Sequence, residues 1–580
     1  MSVLVARPPA TRRLTGTRHP IVAVAPVRLV MLLLLIAAGV SLVLVRLAWL
    51  AAFAEPATTR DAAEALVPLR GDVTDRNGTP LARTIDAWSI GIHPRKLVND
   101  PHELAGKLAA LMPAHDEGWY YRALTSDAPF VFLQRRAMPE LVKAVNALGE
   151  PAMAYSREPE RLYPQSSMAA HALGSLDIDG HGIRGIERVL EKPLTDPLLR
   201  AQPIALALDA RVQAAMESEL GAAMALFQAR GAAGIVLDAR TGEVIAMVSM
   251  PNYDANSVPK VLDAKNLDDP GMMQLRNNVT QSDYELGSAF KPITMAAAID
   301  SGVVTSMARR FDARAPLQIG RFHIRDDHPQ KRYLDIPETL VHSSNIVTAR
   351  IADELGAERM QAMFRKMGFD TRPDIELHER ERPIWPAYWA RVTTMTSGYG
   401  HGIAVTPLHL ASAYAALVNG GIWRPATLMR IAPGQAPEGR RVISEATSAR
   451  MRQLLRLVVL QGTGKKGEAP GYRVGGKTGT AEIAMKTGYS KKRNVSTFAA
   501  AFPMDAPRYV VVAMLDSPHA TAQSGGQTTA AWTVAPVVSR VIMRTGSLLG
   551  VMPDMNRDVD VSELLPLLWH APGEDQAAPE

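Results

Sequence analysis

The chain has 580 residues of ordinary globular composition, with 64 Lys and Arg against 58 Asp and Glu and no cysteine, which is length enough for several domains. That composition excludes collagen-like, coiled-coil and wholly disordered chains, and the missing thiols exclude disulfide scaffolds, cysteine nucleophiles and cysteine-ligated metal. The net charge of +6 is no nucleic-acid signal: residues 1–54 hold six arginines and no acid, and the 58 bases that remain face 58 acids, so no basic binding face is left over.

The first predicted element is a membrane anchor. Leu29 to Val45 is an uncharged run of 17 apolar residues, resumed after Arg46 by Leu47–Ala54. A span needs about 20 residues, so the helix is expected to include Arg46, whose long side chain can reach the interface beside Trp49. Arginines precede the run and no basic cluster follows it, which keeps residues 1–28 cytoplasmic and exports the rest. Ala52-Phe53-Ala54 resembles a signal-peptidase site, but the run exceeds the roughly 7–15 residues of a cleaved signal. An uncleaved anchor over 29–54 is the expectation.

Residues 55–205 are punctuated by Pro and Arg and gather no catalytic pattern. Arg70 to Leu81 places a strand before an Asn77-Gly78 turn, a hairpin signal. From residue 206 the texture changes. An amphipathic helix is expected over Asp209–Phe227, then two strands over 233–238 and 243–248 about a turn at Arg240-Thr241-Gly242. Helices are expected near 290–300, over 337–367 and over 404–418, and strands over 472–485, 496–502 and 509–515. A last helix over 530–541 is interrupted at Pro536. Two strands, several helices and three strands predict an α+β domain over 206–550, with an antiparallel sheet whose edges come from opposite ends of the segment. The acidic stretch 551–580 is expected to be a mobile tail.

Three short motifs follow one another in this second half. In Gly287-Ser288-Ala289-Phe290-Lys291-Pro292, a helical turn puts Ser288 and Lys291 on one face. Serine is a weak nucleophile until a base takes its proton, and a lysine among apolar neighbours can be that base. A helix start at Ser288 also turns backbone N–H groups toward a developing oxyanion. In Ser343-Ser344-Asn345, within a segment expected to be helical, Ser343 can relay a proton and Asn345 can hold an amide. In Gly476-Lys477-Thr478-Gly479-Thr480, an expected edge strand can pair with an extended peptide. There Lys477, Thr478 and Thr480 suit a carboxylate, and Gly479 lets a substrate backbone approach.

Each motif alone is a weak signal. Ser257-x-x-Lys260 and Lys486-Thr487-Gly488 match two of them by chance, one in a loop closed by Pro259 and the other in a polar turn. Gly471 to Thr478 also satisfies the phosphate-loop pattern, yet the residues after Lys477 are expected to be strand where a phosphate loop must open a helix. His401, in a glycine-rich stretch, is read as part of a turn, His342 as packing, and Glu482 as a strand carboxylate without an assigned role.

These residues resemble the class B penicillin-binding proteins, D,D-transpeptidases of bacterial cell-wall synthesis. The similarity rests on the three motifs together with Gly234–Asn256, Arg276-Asn277-Asn278 and Tyr399–Pro407, and in the first half on Arg70–Leu81, Arg161-Leu162-Tyr163-Pro164, His171–Gly174 and Gly185-Ile186-Glu187. The Gly471–Glu482 stretch and single short anchor look most like the septal, cell-division branch. A departure is Leu286 before Gly287, where the family more often has Pro.

The resemblance implies a serine β-lactamase-like transpeptidase domain after a pedestal (dimerisation-type) domain over 55–205. It implies Ser288 as acyl-forming nucleophile, Lys291 as its base, Ser343 as proton relay and Asn345 as amide ligand. Lys477, Thr478, Gly479 and Thr480 would hold the end of a D-Ala-D-Ala stem peptide, with the backbone N–H groups of Ser288 and Thr480 as oxyanion hole. β-Lactams would acylate Ser288, and no metal or organic cofactor is implied. Partners would be a membrane-embedded septal glycan polymerase and other division proteins, in the inner membrane. Alternatives sharing the motifs are an elongation-specific transpeptidase, a penicillin hydrolase or sensor, and an idle scaffold.

Overall fold

The computed structural model describes residues 20–53, 69–485 and 488–569. Helix α1 (Pro20–Phe53) stands as a unit of its own. Its stretch Leu29–Arg46 has a mean hydropathy of 2.7 and none of it is buried in protein, which is the length and character of a membrane span. Helix continues without a break through Arg46, as expected.

The described part of the first half builds several small sheets. Strands β1 (Val73–Thr74) and β2 (Pro80–Ile85) form the hairpin expected about Asn77-Gly78, with Gly78 at φ 88° and the Asp75 carboxylate accepting the N–H groups of Asn77 and Thr79. A small lobe follows: β3 (Trp88–Ile92), α2 (Pro101–Leu111), α3 (Glu117–Leu124), β4 (Val131–Ala137), α4 (Pro139–Asn146) and β5 (Met153–Arg157). Its sheet has the order β4-β3-β5, and it closes a core of its own around Ile90, Ile92, Leu108, Tyr120 and Leu133. Strand β6 (Glu160–Leu162) returns to β2, and β7 (Ile204–Ala205) lies parallel to β1.

The pedestal residues that carried the resemblance meet at one point. Glu187, 1 % exposed, takes Arg70 on one carboxylate oxygen at 2.9 Å and Arg161 on the other at 2.7 Å, and Tyr163 adds its hydroxyl. A buried carboxylate is tolerated only when paired and hydrogen-bonded in this way. The hairpin turn then grips the next domain. Asp75 accepts the Ala210 N–H, and Asn77 donates to Asp209, which caps helix α5 (Ala210–Leu226).

The second domain is built on a five-stranded antiparallel sheet. Its strands are β8 (Gly231–Asp238), β9 (Val244–Met250), β10 (Gly475–Met485), β11 (Gly488–Phe502) and β12 (Tyr509–Asp516), in the order β9-β8-β12-β11-β10. The edges come from the two ends of the segment, as the element order predicted. Both faces are covered, and β8, β9 and β12 are near-continuous apolar runs rather than alternating, whereas β10 and the first half of β11 carry polar and charged residues. Ile235, Leu237, Val510, Val512 and Ala499 face one core, packed by α6 (Lys291–Asp300), α7 (Ile336–Val341), α8 (Asn345–Lys366), α9 (Pro407–Val418) and α10 (Glu445–Gln461). Ala232, Val236, Phe498, Val511 and Ala513 face the other, closed by α5 and by α12 (Ala535–Thr545), which follows the short α11 (Ala530–Thr533).

Three expectations are corrected. The single helix over 337–367 is two, because Ser343 takes a left-handed conformation (φ 59°) between α7 and α8, and Gly356 (φ 76°) kinks the second. Strand β11 begins eight residues before the expected Ser496, since it pairs along β10 as far as Gly488. The tail expected to be mobile from 551 is docked through residue 569. Asp558 forms an ion pair with Arg456, Val561, Leu564 and Leu568 are buried, and the Trp569 N–H bonds to Glu338 of α7. Long-range ion pairs and spaced apolar anchors are invisible to composition, which registers only the acidity.

Candidate active site

Ser288 sits on a single 3₁₀ turn, Gly287–Phe290, that runs directly into α6. The turn is clamped from several sides. Phe290 is fully buried against Phe364 and Phe369, with ring centres 5.7 and 5.2 Å away, and the Tyr414 hydroxyl donates to the Ala289 carbonyl at 2.9 Å. Upstream, Tyr284 exchanges both backbone hydrogen bonds with Val405. Gly287 and Gly400 have φ of 53° and 82°, and a methyl on Gly287 would lie 2.7 Å from the Thr480 carbonyl oxygen. A side chain at either position would break the close approach of turn, loop and β10.

Lys291, one turn after Ser288, is completely buried. Its amine donates to the carbonyl of Ser343 and, at 3.1 Å, to the Ser343 hydroxyl. Burial pushes it down from the ordinary lysine value to about 7, while Asp326 and Asp327 pull it back up. A lysine held there exists substantially as the free amine near neutrality, which is what a general base needs.

The second motif does not lie inside a helix, as expected, but in the break between α7 and α8. The left-handed Ser343 turns its carbonyl and hydroxyl to Lys291. Ser344 caps α8, accepting the Val347 N–H at 3.1 Å, and Asn345 is held by donation from Nδ2 to the Arg325 carbonyl at 3.0 Å. Asp326, which the sequence reading passed over, fixes the break. One of its oxygens accepts the Ser344 hydroxyl at 2.8 Å and the other the Ile346 N–H at 2.9 Å. Substituting Asp326→Asn is expected to lower the stability of the full-length protein by about 1.5–3 kcal/mol, the worth of a charge-assisted hydrogen bond. A denaturant midpoint unchanged from the native protein would show that the break holds without it.

The third motif lies on edge strand β10, as expected. Lys477 is completely buried, its amine 3.0 Å from the Thr478 carbonyl and 3.3 Å from the hydroxyls of Thr463 and Thr478. Burial and then the nearby Lys291 amine hold it well below the ordinary lysine range, against the pull of Asp327. Thr480 accepts the Ala530 N–H at the start of α11. Gly479 plays a part other than the expected one: the space beside it is filled by the protein's own chain, because a methyl there would overlap the Leu286 carbonyl oxygen. Lys477 stands inside a strand and opens no helix, so the phosphate-loop reading fails on geometry.

One residue of each motif, Ser288, Asn345 and Thr480, opens onto a cleft of about 850 Å³ that Asp327, Arg325 and His401 also line, while Lys291, Ser343, Lys477 and Thr478 lie outside its lining. His401 is more than a turn residue, since its Nδ1 pairs with Glu285 at 2.8 Å and Glu285 also accepts the Gly402 N–H. His342 packs as expected, lowered by burial beside Arg332. Of the chance matches, Ser257–Lys260 is loop, whereas Lys486 and Thr487 lie outside the described residues and Gly488 opens β11.

Comparison with known proteins gives the same outline. The family model "Penicillin binding protein transpeptidase domain" matches residues 232–539, and "Penicillin-binding Protein dimerisation domain" matches 65–195. A probable peptidoglycan D,D-transpeptidase FtsI of Caulobacter vibrioides is 38 % identical over 87 % of this chain and 85 % of its own. The peptidoglycan D,D-transpeptidase FtsI of Escherichia coli K12 is 26 % identical over 86 % of each. Among solved structures, penicillin binding protein 3 of Mycobacterium tuberculosis complexed with aztreonam superposes with a TM-score of 0.64 at 25 % identity, covering 84 % of this chain and 98 % of that one.

Proposed function

The chain belongs to the class B penicillin-binding proteins, and from that membership we propose that it is the septal peptidoglycan D,D-transpeptidase of its cell, working through a serine acyl-enzyme at Ser288. The observation that carries this reading is Lys291, sealed from water one turn from Ser288 and hydrogen-bonded to Ser343. Similarity to FtsI proteins over most of the chain favours division over elongation.

In this reading the terminal carboxylate of a D-Ala-D-Ala stem peptide enters between Lys477, Thr478 and Thr480. Two buried ammonium groups side by side repel, so an arriving carboxylate favours the charge on Lys477 and leaves Lys291 as the free amine. Ser288 attacks the penultimate carbonyl while its hydroxyl proton passes to Lys291. The oxyanion is met by the backbone N–H groups of Ser288 and Thr480. Asn345 holds the substrate amide, and the departing D-alanine amine takes its proton from Lys291 by way of Ser343. An amine of a second stem peptide then attacks the ester and releases Ser288. A β-lactam carries the same carboxylate beside a strained amide and stops at the ester.

The arginines before Leu29 support a cytoplasmic N-terminus with the catalytic domain on the periplasmic face of the inner membrane. A membrane-embedded glycan polymerase and other division proteins are the partners of such an enzyme. The test is peptide mass spectrometry of the full-length protein in detergent after exposure to benzylpenicillin. One adduct, on the peptide containing Ser288 and persisting long after free drug is removed, is the expected result. An adduct elsewhere or none overturns the assignment, and rapid loss of the adduct points to a hydrolase.

A further inference from the structure

Ser343 is held from two sides, and the second hold reaches it from a stretch of chain far from the three motifs. Asp326 fixes the residues that follow it, Ser344 and Ile346. The residues that precede it are α7, a helix of only six residues, and one side chain ties that helix to its own end. Arg332 forms an ion pair with Glu338 at 2.6 Å and donates from Nη2 to His342 Nε2 at 3.3 Å, so it joins the middle of α7 to the residue immediately before Ser343. Glu338 is 2 % exposed and closes the cap of the same helix, its Oε2 accepting the Asp335 N–H at 3.2 Å.

The C-terminal segment completes this clamp. The Trp569 N–H donates to Glu338 Oε1 at 3.0 Å, and the Arg332 guanidinium lies over the Trp569 ring, 5.1 Å from its centre. Anchors along α10 deliver the segment there: Asp558 on Arg456, Glu563 on Arg450, and the Asp560 carbonyl accepting from Gln453. Leu564 and Leu568 enter the core that also holds Ile336, Leu340 and Val341 of α7. Trp569 itself is 57 % exposed, so its own burial contributes little. What it supplies is a donor for the second oxygen of a buried carboxylate and a π-face for the guanidinium paired with it. A buried ion pair keeps one geometry only while its remaining donors and acceptors are engaged.

We propose that Trp569 is a positioning residue for the acylation step, closing the Arg332–Glu338 clamp that sets where α7 presents Ser343 to Lys291. This rests on the roles given to Lys291 and Ser343 above. Lys291 is completely buried, bonded to both Ser343 oxygens, faced by Asp326 and Asp327, and close to the Lys477 amine. Burial is the largest cause of its lowered value. A shift of α7 takes Ser343 off the amine and lets water in, and hydration favours the charged form. The base is then protonated over more of the pH range in which it must be free.

Trp569→Pro tests this in the full-length protein in detergent. It removes both the N–H and the ring, and Leu568 already has the extended backbone (φ −73°, ψ 132°) that a residue before proline adopts. Acylation by benzylpenicillin, followed over pH 6–10, should fall about three- to tenfold at pH 7 and recover at the top of the range. Its inflection should move up by about half to one pH unit, one unit being a tenfold change in free amine below the inflection. Trp569→Ala, which keeps the N–H, should shift less in the same direction, and Trp569→Phe, which keeps both contacts, should match the native protein. The alanine and phenylalanine variants decide the matter by themselves if the proline variant does not fold. Asp335, raised by burial to about 7, and His342 also titrate in the clamp, so each profile is compared with that of Lys291→Met, where only the lysine's contribution is missing. A native profile in both the proline and alanine variants, or a loss equal at every pH with the inflection in place, overturns the positioning role. A native profile with no limb that Lys291→Met removes overturns instead the assignment of Lys291 on which it rests.

Discussion

Replacing Lys291 with methionine is expected to slow acylation of Ser288 by benzylpenicillin by roughly 10²–10⁴-fold, the range a positioned general base supplies, without unfolding the protein. Methionine fills much the same apolar channel, and what disappears is the amine that bonds both Ser343 oxygens. The pH dependence discriminates between a base and a spacer. With burial holding Lys291 at about 7, native acylation should rise with pH through an inflection near 7 and level off, and Lys291→Met should lose that limb. Lys291→Arg keeps a cation but cannot give up its proton, so it should be as slow as methionine. The sign for stability is fixed by the same shift. Between about 7 and 10 an unfolded chain, with an ordinary lysine near 10.4, binds a proton that the folded protein does not. Stability contributed by this group is therefore lost as pH falls from about 10 to 7 and is flat below, and the methionine variant lacks that slope. Stopped-flow labelling with a fluorescent penicillin and thermal melts over pH 6–10 check both. Native-like acylation in the methionine variant would remove Lys291 from the chemistry.

The parts of this site that could be foreseen are those written within a few residues of one another. Ser288 and Lys291 are separated by one turn, and Lys477 to Thr480 occupy consecutive positions on one strand, so each set shares one local element. The sheet was legible for a related reason: strands buried on both faces are apolar runs bounded by turns. The contacts that hold the motifs against each other are a different matter. Asp326 lies 18 residues before Ser344, Thr463 lies 14 before Lys477, and Glu285 lies 116 before His401. No periodicity links such partners. The break at Ser343 was missed because the apolar pattern runs on through 337–367, and what opens the helix there is Asp326 capturing Ser344 and the Ile346 N–H from outside. Competition of this kind, in which a distant carboxylate outbids the local helix for backbone donors, leaves no mark on local composition. The docked segment 551–569 escaped for the same reason, with Glu563 and Asp558 paired to Arg450 and Arg456 of α10 and the Asp560 backbone carbonyl accepting from Gln453.

Gly479→Ala should cost about a hundredfold in acylation rate and about 1–3 kcal/mol in stability, although alanine is the smallest change the position allows. The obstacle is backbone, not a side chain that can swing away. A methyl there overlaps the Leu286 carbonyl oxygen and comes to 3.0 Å from the Ala289 nitrogen and 3.1 Å from its Cβ, and crowding of this kind in a packed interior costs about 1–3 kcal/mol. Strand and turn must separate, and neither is free to do so alone. The turn is held by Tyr414 on the Ala289 carbonyl, by the tilted and edge-on rings packed against Phe290 and by the contact of Gly400 with Gly287. The strand is zipped along β11 from Gly475 to Glu482. Ser288 and Thr480, whose N–H groups form the proposed oxyanion hole, belong to the two pieces being forced apart, and a misplacement of about 1 Å is enough for a 10²-fold loss. The rate of bond formation should fall while drug binding before acylation changes little, because the proposed carboxylate ligands Lys477 and Thr478 both sit on the strand. Small and bulky β-lactams should be slowed alike. If only bulky ones were slowed, Gly479 would be making room for the substrate, and the close packing of strand against nucleophile turn would not be what limits the reaction.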